Sequence, residues 1–96
     1  MQTEVFITVN HLDDFGGYTN FRVGDELELE KDEDNPYDDE AIIAYKDGVK
    51  CGYVANSVCS VARGTSSAGR VNELVKKNTT CIVRFITEGI IIAQLK

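Results

Sequence analysis

The run Glu26-Leu27-Glu28-Leu29-Glu30 alternates acid and leucine without a break. On an α-helix successive residues turn by about 100°, so the two leucines would face nearly opposite sides and no apolar stripe would form. In an extended strand both leucines fall on one face and all three acids on the other. The segment therefore reads as a strand of a one-sided sheet, with Leu27 and Leu29 inside and the acids in water.

The rest of the chain supplies partners for that strand. Residues 4–9 are rich in β-branched and aromatic types and read as a strand, as do 41–45, 50–55, 79–87 and 90–95. Asp47-Gly48 is a hairpin turn signal, and Glu88-Gly89 turns the chain before the last strand. In 79–87, Cys81, Val83 and Phe85 alternate with Thr80, Ile82 and Arg84. Residues 10–20 hold Asp13, Asp14, Gly16, Gly17 and Asn20 and read as a loop. Phe15 and Tyr18 within it either pin the loop to the core or present flat faces to a ligand. Residues 32–39 form an acidic loop. Asn56-Ser57 is expected to cap a short helix over 58–63, ended by Gly64. Ser66 or Ser67 caps a second helix over 68–77, with Val71, Leu74 and Val75 on one face and Asn78 as its stop.

Neighbouring strands joined by short turns make an antiparallel sheet. Six short strands would leave exposed edges unless the sheet curls up. The expected fold is mainly β with two short helices: a small, six-stranded, antiparallel, partly closed barrel, one domain over residues 1–96.

Charge bears on the partner. The net charge is −6, which argues against a generic, charge-driven nucleic-acid binder. Residues 1–45 carry thirteen acids and two bases, whereas residues 46–96 carry eight bases and three acids. If the halves form different faces, one of them still attracts phosphate. Residues 1–10 lack a positive leader and already alternate like a strand, so a signal peptide is not expected. No apolar run is long enough to span a bilayer. A cytoplasmic location, with no membrane partner, is the expectation. Cys51, Cys59 and Cys81 form no C-x-x-C pair and read as small buried hydrophobes; a zinc site made with His11 lacks the usual close ligand spacing.

The segment from Val23 to Ile42 resembles the heart of a HIRAN domain. It carries a glycine before a strand (Gly24), a charged loop ending in Asn35-Pro36-Tyr37-Asp38, and Ala41-Ile42 opening the next strand. Gly52-Tyr53-Val54-Ala55 resembles the family's Gly-Tyr stretch one hairpin later, and the resemblance runs from about residue 4 to 95. The stretches 53–57, 62–65 and 67–70 are similar to short, stand-alone bacterial members. The resemblance implies a barrel like an OB-fold that binds single-stranded DNA and grips a free 3′ end, in repair or replication-fork processing. By that resemblance Tyr37 stacks on the terminal base, Asp38 accepts a hydrogen bond from the 3′-hydroxyl, and Asn35 helps hold the sugar-phosphate. Phe15 falls near a second stacking aromatic, and Tyr53 and Asn56 join the binding surface. Stacking of a base on an aromatic ring contributes about 1–3 kcal/mol and tolerates any base. A carboxylate suits a hydroxyl donor and repels a terminal phosphate.

The chain departs from the family pattern where phosphate contacts are made. Asp14 stands at a position that is basic in the family, Gly16 at a second aromatic, and Asn56 and Ser57 where bases follow the Gly-Tyr strand. Lys31 is the one base among ten acids between Asp25 and Glu40. Each missing phosphate contact weakens binding and flattens its salt dependence. An acidic protein-interaction module that has lost DNA binding, with a basic protein partner, is the alternative.

Other readings are open at this level. Tyr37 either stacks on a base or caps the barrel, and Asp38 either reads a hydroxyl or bonds its own turn. Asp32, Asp34 and Asp38 could ligate a divalent cation, but Pro36 intervenes and a solvated acidic face is expected. Arg63, Arg70, Lys76, Lys77 and Arg84 are candidates for a basic patch or for ordinary solubility. Residues 64–69 are small like a phosphate loop yet lack its Gly-Lys-Ser/Thr ending. No nucleophile stands at a recognisable spacing from His11. The expectation is a monomeric binding module that is not an enzyme and needs no metal or cofactor.

Overall fold

Leu27 and Leu29 are buried and Glu26, Glu28 and Glu30 exposed, as the period of two dictates. Full burial of each leucine contributes about 1.5–3 kcal/mol. The structure, a computed structural model, describes residues 4–15, 21–56, 61–87 and 89–96. Its elements in chain order are β1 (Phe6–Asn10), a 3-10 turn (Leu12–Phe15), β2 (Glu26–Lys31), β3 (Ile42–Lys46), β4 (Val49–Val54), the helix α1 (Ala68–Val71), a second 3-10 turn (Asn72–Leu74), β5 (Thr80–Thr87) and β6 (Ile90–Leu95). No described helix is long and apolar enough to cross a membrane.

All six strands are antiparallel and close a barrel in the order β1-β4-β3-β2-β5-β6. The six-stranded antiparallel barrel expected from sequence is present, and its closure is complete. β1 and β6 pair from Phe6↔Gln94 to Val9↔Ile91, so neither strand is left as an edge. Ile7, Val9, Leu27, Leu29, Ile42, Val83 and Ile91 meet inside. Asp47 and Gly48 both take the left-handed backbone that a two-residue hairpin of matching twist requires, at φ 52° and 81°. At the turn before β2, the Asp25 carboxylate accepts from the Arg22 amide at 2.9 Å and lies 3.0 Å from Lys46 Nζ. That amide first, and then Lys46, hold the Asp25 carboxyl below its ordinary value.

The sequence pattern fails at Phe85. It is in phase with the buried Cys81 and Val83, yet it is 60% exposed. The register between β5 and β6 slips there: Val83 pairs with Ala93 but Phe85 with Ile92. One extra residue on β5 inverts the side-chain phase, so Phe85 points out and Ile86 packs against the core.

The helices also differ from expectation. Of the first, over 58–63, residues 58–60 lie outside the described residues, Cys59 among them, as does the expected cap residue Ser57; residues 61–63 form a bend leading into a turn. The second ends early. Ser67 caps α1 by accepting from the Arg70 amide, but after Leu74 the chain is extended at Val75. The Thr79 hydroxyl takes the Lys76 amide at 2.7 Å and locks a turn where the helix would have continued. Leu74 is consequently exposed rather than aligned with the buried Val71 and Val75. Asn78 does stop a chain reversal, with φ at 70°, though it is this turn rather than the helix.

Thr8 is the one fully buried polar side chain among the described residues. Its hydroxyl accepts from the Ala62 amide at 3.0 Å and lies 2.8 Å from the Thr65 hydroxyl, which itself donates to the Ala62 carbonyl. This ties the segment before α1 onto β1. Cys51 and Cys81 are free and sit in the core. Burial pushes their thiols up to about 11 and about 12.

Candidate nucleic-acid interface

The acidic loop between β2 and β3 is organised by Asn35. Its side-chain carbonyl accepts from the amides of Tyr37 (2.8 Å) and Asp38 (3.0 Å), and its side-chain amide donates to Asp32 at 3.2 Å. An asparagine side chain mimics a backbone turn in this way, and Pro36 fixes the intervening φ. The base of the loop is closed by Asp32 N to Ala41 O at 2.8 Å and Ala41 N to Asp38 O at 3.3 Å. The turn leaves Tyr37 96% exposed. It does not cap the barrel.

Asp38 is held at both oxygens. Oδ1 accepts from the Glu40 amide at 2.9 Å and Oδ2 from Asn56 Nδ2 at 3.3 Å. The turn-bonding role of Asp38 is thus present in the structure. A carboxylate oxygen has two lone pairs, so each oxygen keeps one acceptor direction for a further donor. Asn56 Nδ2 also lies 3.3 Å from Glu40 Oε1, and Asn56 Oδ1 accepts from the Gly69 amide at 2.8 Å. Asn56 therefore ties the acidic loop to α1.

Around Asp38 opens a cleft of about 450 Å³. Asn10, His11 and Asp14 line it from the end of β1 and the following turn; Asn35, Asp38 and Ala41 from the acidic loop; and residues 53–56 from β4 and its continuation. Gly52 makes this junction possible. A Cβ there would stand 2.7 Å from the Asn10 carbonyl oxygen and 2.8 Å from Val9 Cγ1. With that side bare, the chain after β1 folds down over β4, taking a left-handed turn at His11 (φ 59°). His11 then stands edge-on to the Tyr53 ring, at 6.1 Å between centroids, with Nδ1 3.5 Å from Asp14 Oδ2. Lys50 Nζ lies 5.6 Å from the centre of the same Tyr53 ring.

Four of the six residues singled out from sequence, Asn35, Asp38, Tyr53 and Asn56, line this one cleft. Tyr37 projects between two of them. Phe15 ends the first 3-10 turn, but its side chain lies outside the described part, as do Gly16 and Tyr18. Asn10 and His11 were not foreseen as cleft residues. The one signal for them was their place after β1, since nothing local shows that β1 ends beside Tyr53. Asp14, a carboxylate where the family pattern has a base, does face the cleft.

None of Arg63, Arg70, Lys76, Lys77 and Arg84 lines the cleft. Lys76 and Lys77 share a separate groove with Glu28, Glu30 and Glu33, and Arg84 donates to Gln94 at 2.9 Å. Two of the five thus face carboxylates. Within the small-residue stretch 64–69, the amides of Thr65, Ser66, Ala68 and Gly69 all donate within the protein. Asp32 and Asp38 are engaged inside their own loop, and no cluster of three or more His, Cys, Asp or Glu among the described residues could hold a metal ion.

The family model of the HIRAN domain matches residues 2–71 of the 96. That span contains the acidic loop, every lining residue of the cleft and α1. It stops short of β5 and β6, so the match is narrower than the resemblance traced from residue 4 to 95. No curated protein and no solved structure matches the chain. With well over half its length matched, the chain belongs to the HIRAN domain family.

Proposed function

We propose that this domain takes single-stranded DNA by a free 3′-hydroxyl end, in the setting of DNA repair or replication-fork processing. Membership in a family known for DNA binding supports a nucleic-acid-binding module, and HIRAN domains are not catalytic by themselves. The observation that carries the finer reading is the Asn35 turn, which projects Tyr37 at 96% exposure directly beside the oriented Asp38 carboxylate. Tyr37 offers a ring face to the terminal base. Asp38 accepts from the terminal hydroxyl through its remaining lone pairs. Asn35, Tyr53 and Asn56 line the path of the sugar-phosphate, and Phe15 is the second stacking aromatic.

The test is fluorescence anisotropy with a short labelled strand at low salt, ending in a 3′-hydroxyl or a 3′-phosphate. Tighter binding of the hydroxyl strand supports end recognition at Asp38. Equal affinity for both reduces the site to a stacking groove. A second reading rests on the exposed Glu26, Glu28 and Glu30 of β2 and the carboxylates of the cleft: an acidic surface for a basic protein. Absence of binding to either strand transfers the assignment to that partner, whose binding weakens with salt.

A further inference from the structure

The cleft poses a charge problem for the ligand proposed above. Asp14 and Asp38 line it as carboxylates, and a DNA strand brings phosphates of the same sign. Among its described lining residues only His11 can carry positive charge. Its side chain is 61% exposed and turned into the cleft by an unusual left-handed backbone. Histidine is among the few non-glycine residues that adopt that conformation with any frequency, and an outlier of this kind at a cleft lip is a legitimate pointer to function.

We propose that His11 is the phosphate-facing cation of the cleft, so that DNA binding is coupled to its protonation. The inference rests on the proposed function, because it concerns the same cleft. The charged or titratable groups around His11 are Asp14 on its own turn, Asp38 across the cleft on the acidic loop, and Tyr53 on β4, over whose ring Lys50 Nζ lies at 5.6 Å. Of these side-chain types, imidazole alone ordinarily changes charge between pH 5 and 8. With His11 neutral, an incoming phosphate meets two carboxylates and no lining cation. With His11 protonated, the ring brings a positive charge into the cleft, its Nδ1 lying 3.5 Å from Asp14 Oδ2, and Nε2–H becomes a charged donor for a phosphate oxygen. The phosphate favours the protonated form, and by linkage the proton favours the phosphate.

The experiment measures affinity for a 3′-hydroxyl oligothymidylate, whose bases and phosphodiesters hold their charge, from pH 8 to pH 6. The parent is compared with His11→Asn, chosen because asparagine tolerates the left-handed backbone. One coupled proton tightens binding by at most about tenfold per pH unit. The parent should tighten about three- to tenfold across the range, and the variant should show a flat profile. The same slope in both proteins overturns the proposal. A second readout uses the chain's single histidine, whose imidazole resonance is unambiguous. Its titration midpoint should rise when the protein is saturated with the strand; an unmoved midpoint in a protein that does bind overturns the proposal while leaving the proposed function standing. Failure of both proteins to bind at every pH overturns the proposed function and this inference with it.

Discussion

Replacing Tyr37 with alanine separates the fold from the function. The side chain is 96% exposed, and its backbone amide, which bonds Asn35, survives the change. Exposed substitutions that touch no cap, core or network shift stability by no more than about 0.5 kcal/mol. The urea midpoint of the variant should therefore match that of the parent. Binding should not. A base stacked on one ring face contributes about 1–3 kcal/mol, and each 1.4 kcal/mol is about tenfold in Kd. The Asn35 turn already orders the loop, so little of that gain is spent on ordering it. The expected loss is about 5- to 150-fold by anisotropy with a labelled 3′-hydroxyl strand. Tyr37→Phe, which keeps the ring face, should bind within about twofold of the parent. Salt is held low and constant across the series, because every exposed charge interaction with the strand varies with ionic strength. Equal affinity in a folded Tyr37→Ala and its parent would refute the stacking role outright.

Three further outcomes follow from the packing. Gly52→Ala drives a Cβ into the Asn10 carbonyl and should cost about 1–3 kcal/mol, read as a fall in Tm of about 4–8 °C per kcal/mol; an unchanged Tm would contradict the close approach. Phe85→Ser should leave stability within about 0.5 kcal/mol of the parent, while Ile86→Ala should lose about 1–2 kcal/mol for a partly buried side chain; the reverse order would remove the bulge from β5. Asp25 has a lowered carboxyl value in the folded state, so its contribution is complete above the unfolded value near 4 and is lost as the pH falls through the lowered one. Acid unfolding of Asp25→Asn, followed by circular dichroism below about pH 5, should show a shallower loss of stability than the parent; identical curves would dismiss the Arg22 and Lys46 contacts.

What the sequence determined by itself is local. Acid and leucine at alternate positions of residues 26–30 leave only a strand with one wet face. Asp47-Gly48 sets a hairpin because few other residue pairs take two successive left-handed conformations, and Asn35-Pro36 sets the turn that exposes Tyr37. All six strands were readable for this reason; the four cleft residues Asn35, Asp38, Tyr53 and Asn56 were singled out by the family resemblance instead. The tertiary structure decided what depends on partners distant in the chain. Closure through β1 and β6 joins residues some 85 positions apart, and no local period encodes it. Phe85 points outward because the partner strand has one residue fewer at that step. The second helix stops at Leu74 because Thr79 competes for the Lys76 amide. His11 belongs to the cleft only because a bare Gly52, on another strand, lets the chain after β1 fold down beside Tyr53. Periodicity reports which face of an element is buried; which elements then share a cleft is settled by contacts between them, and those exist only once the barrel has closed.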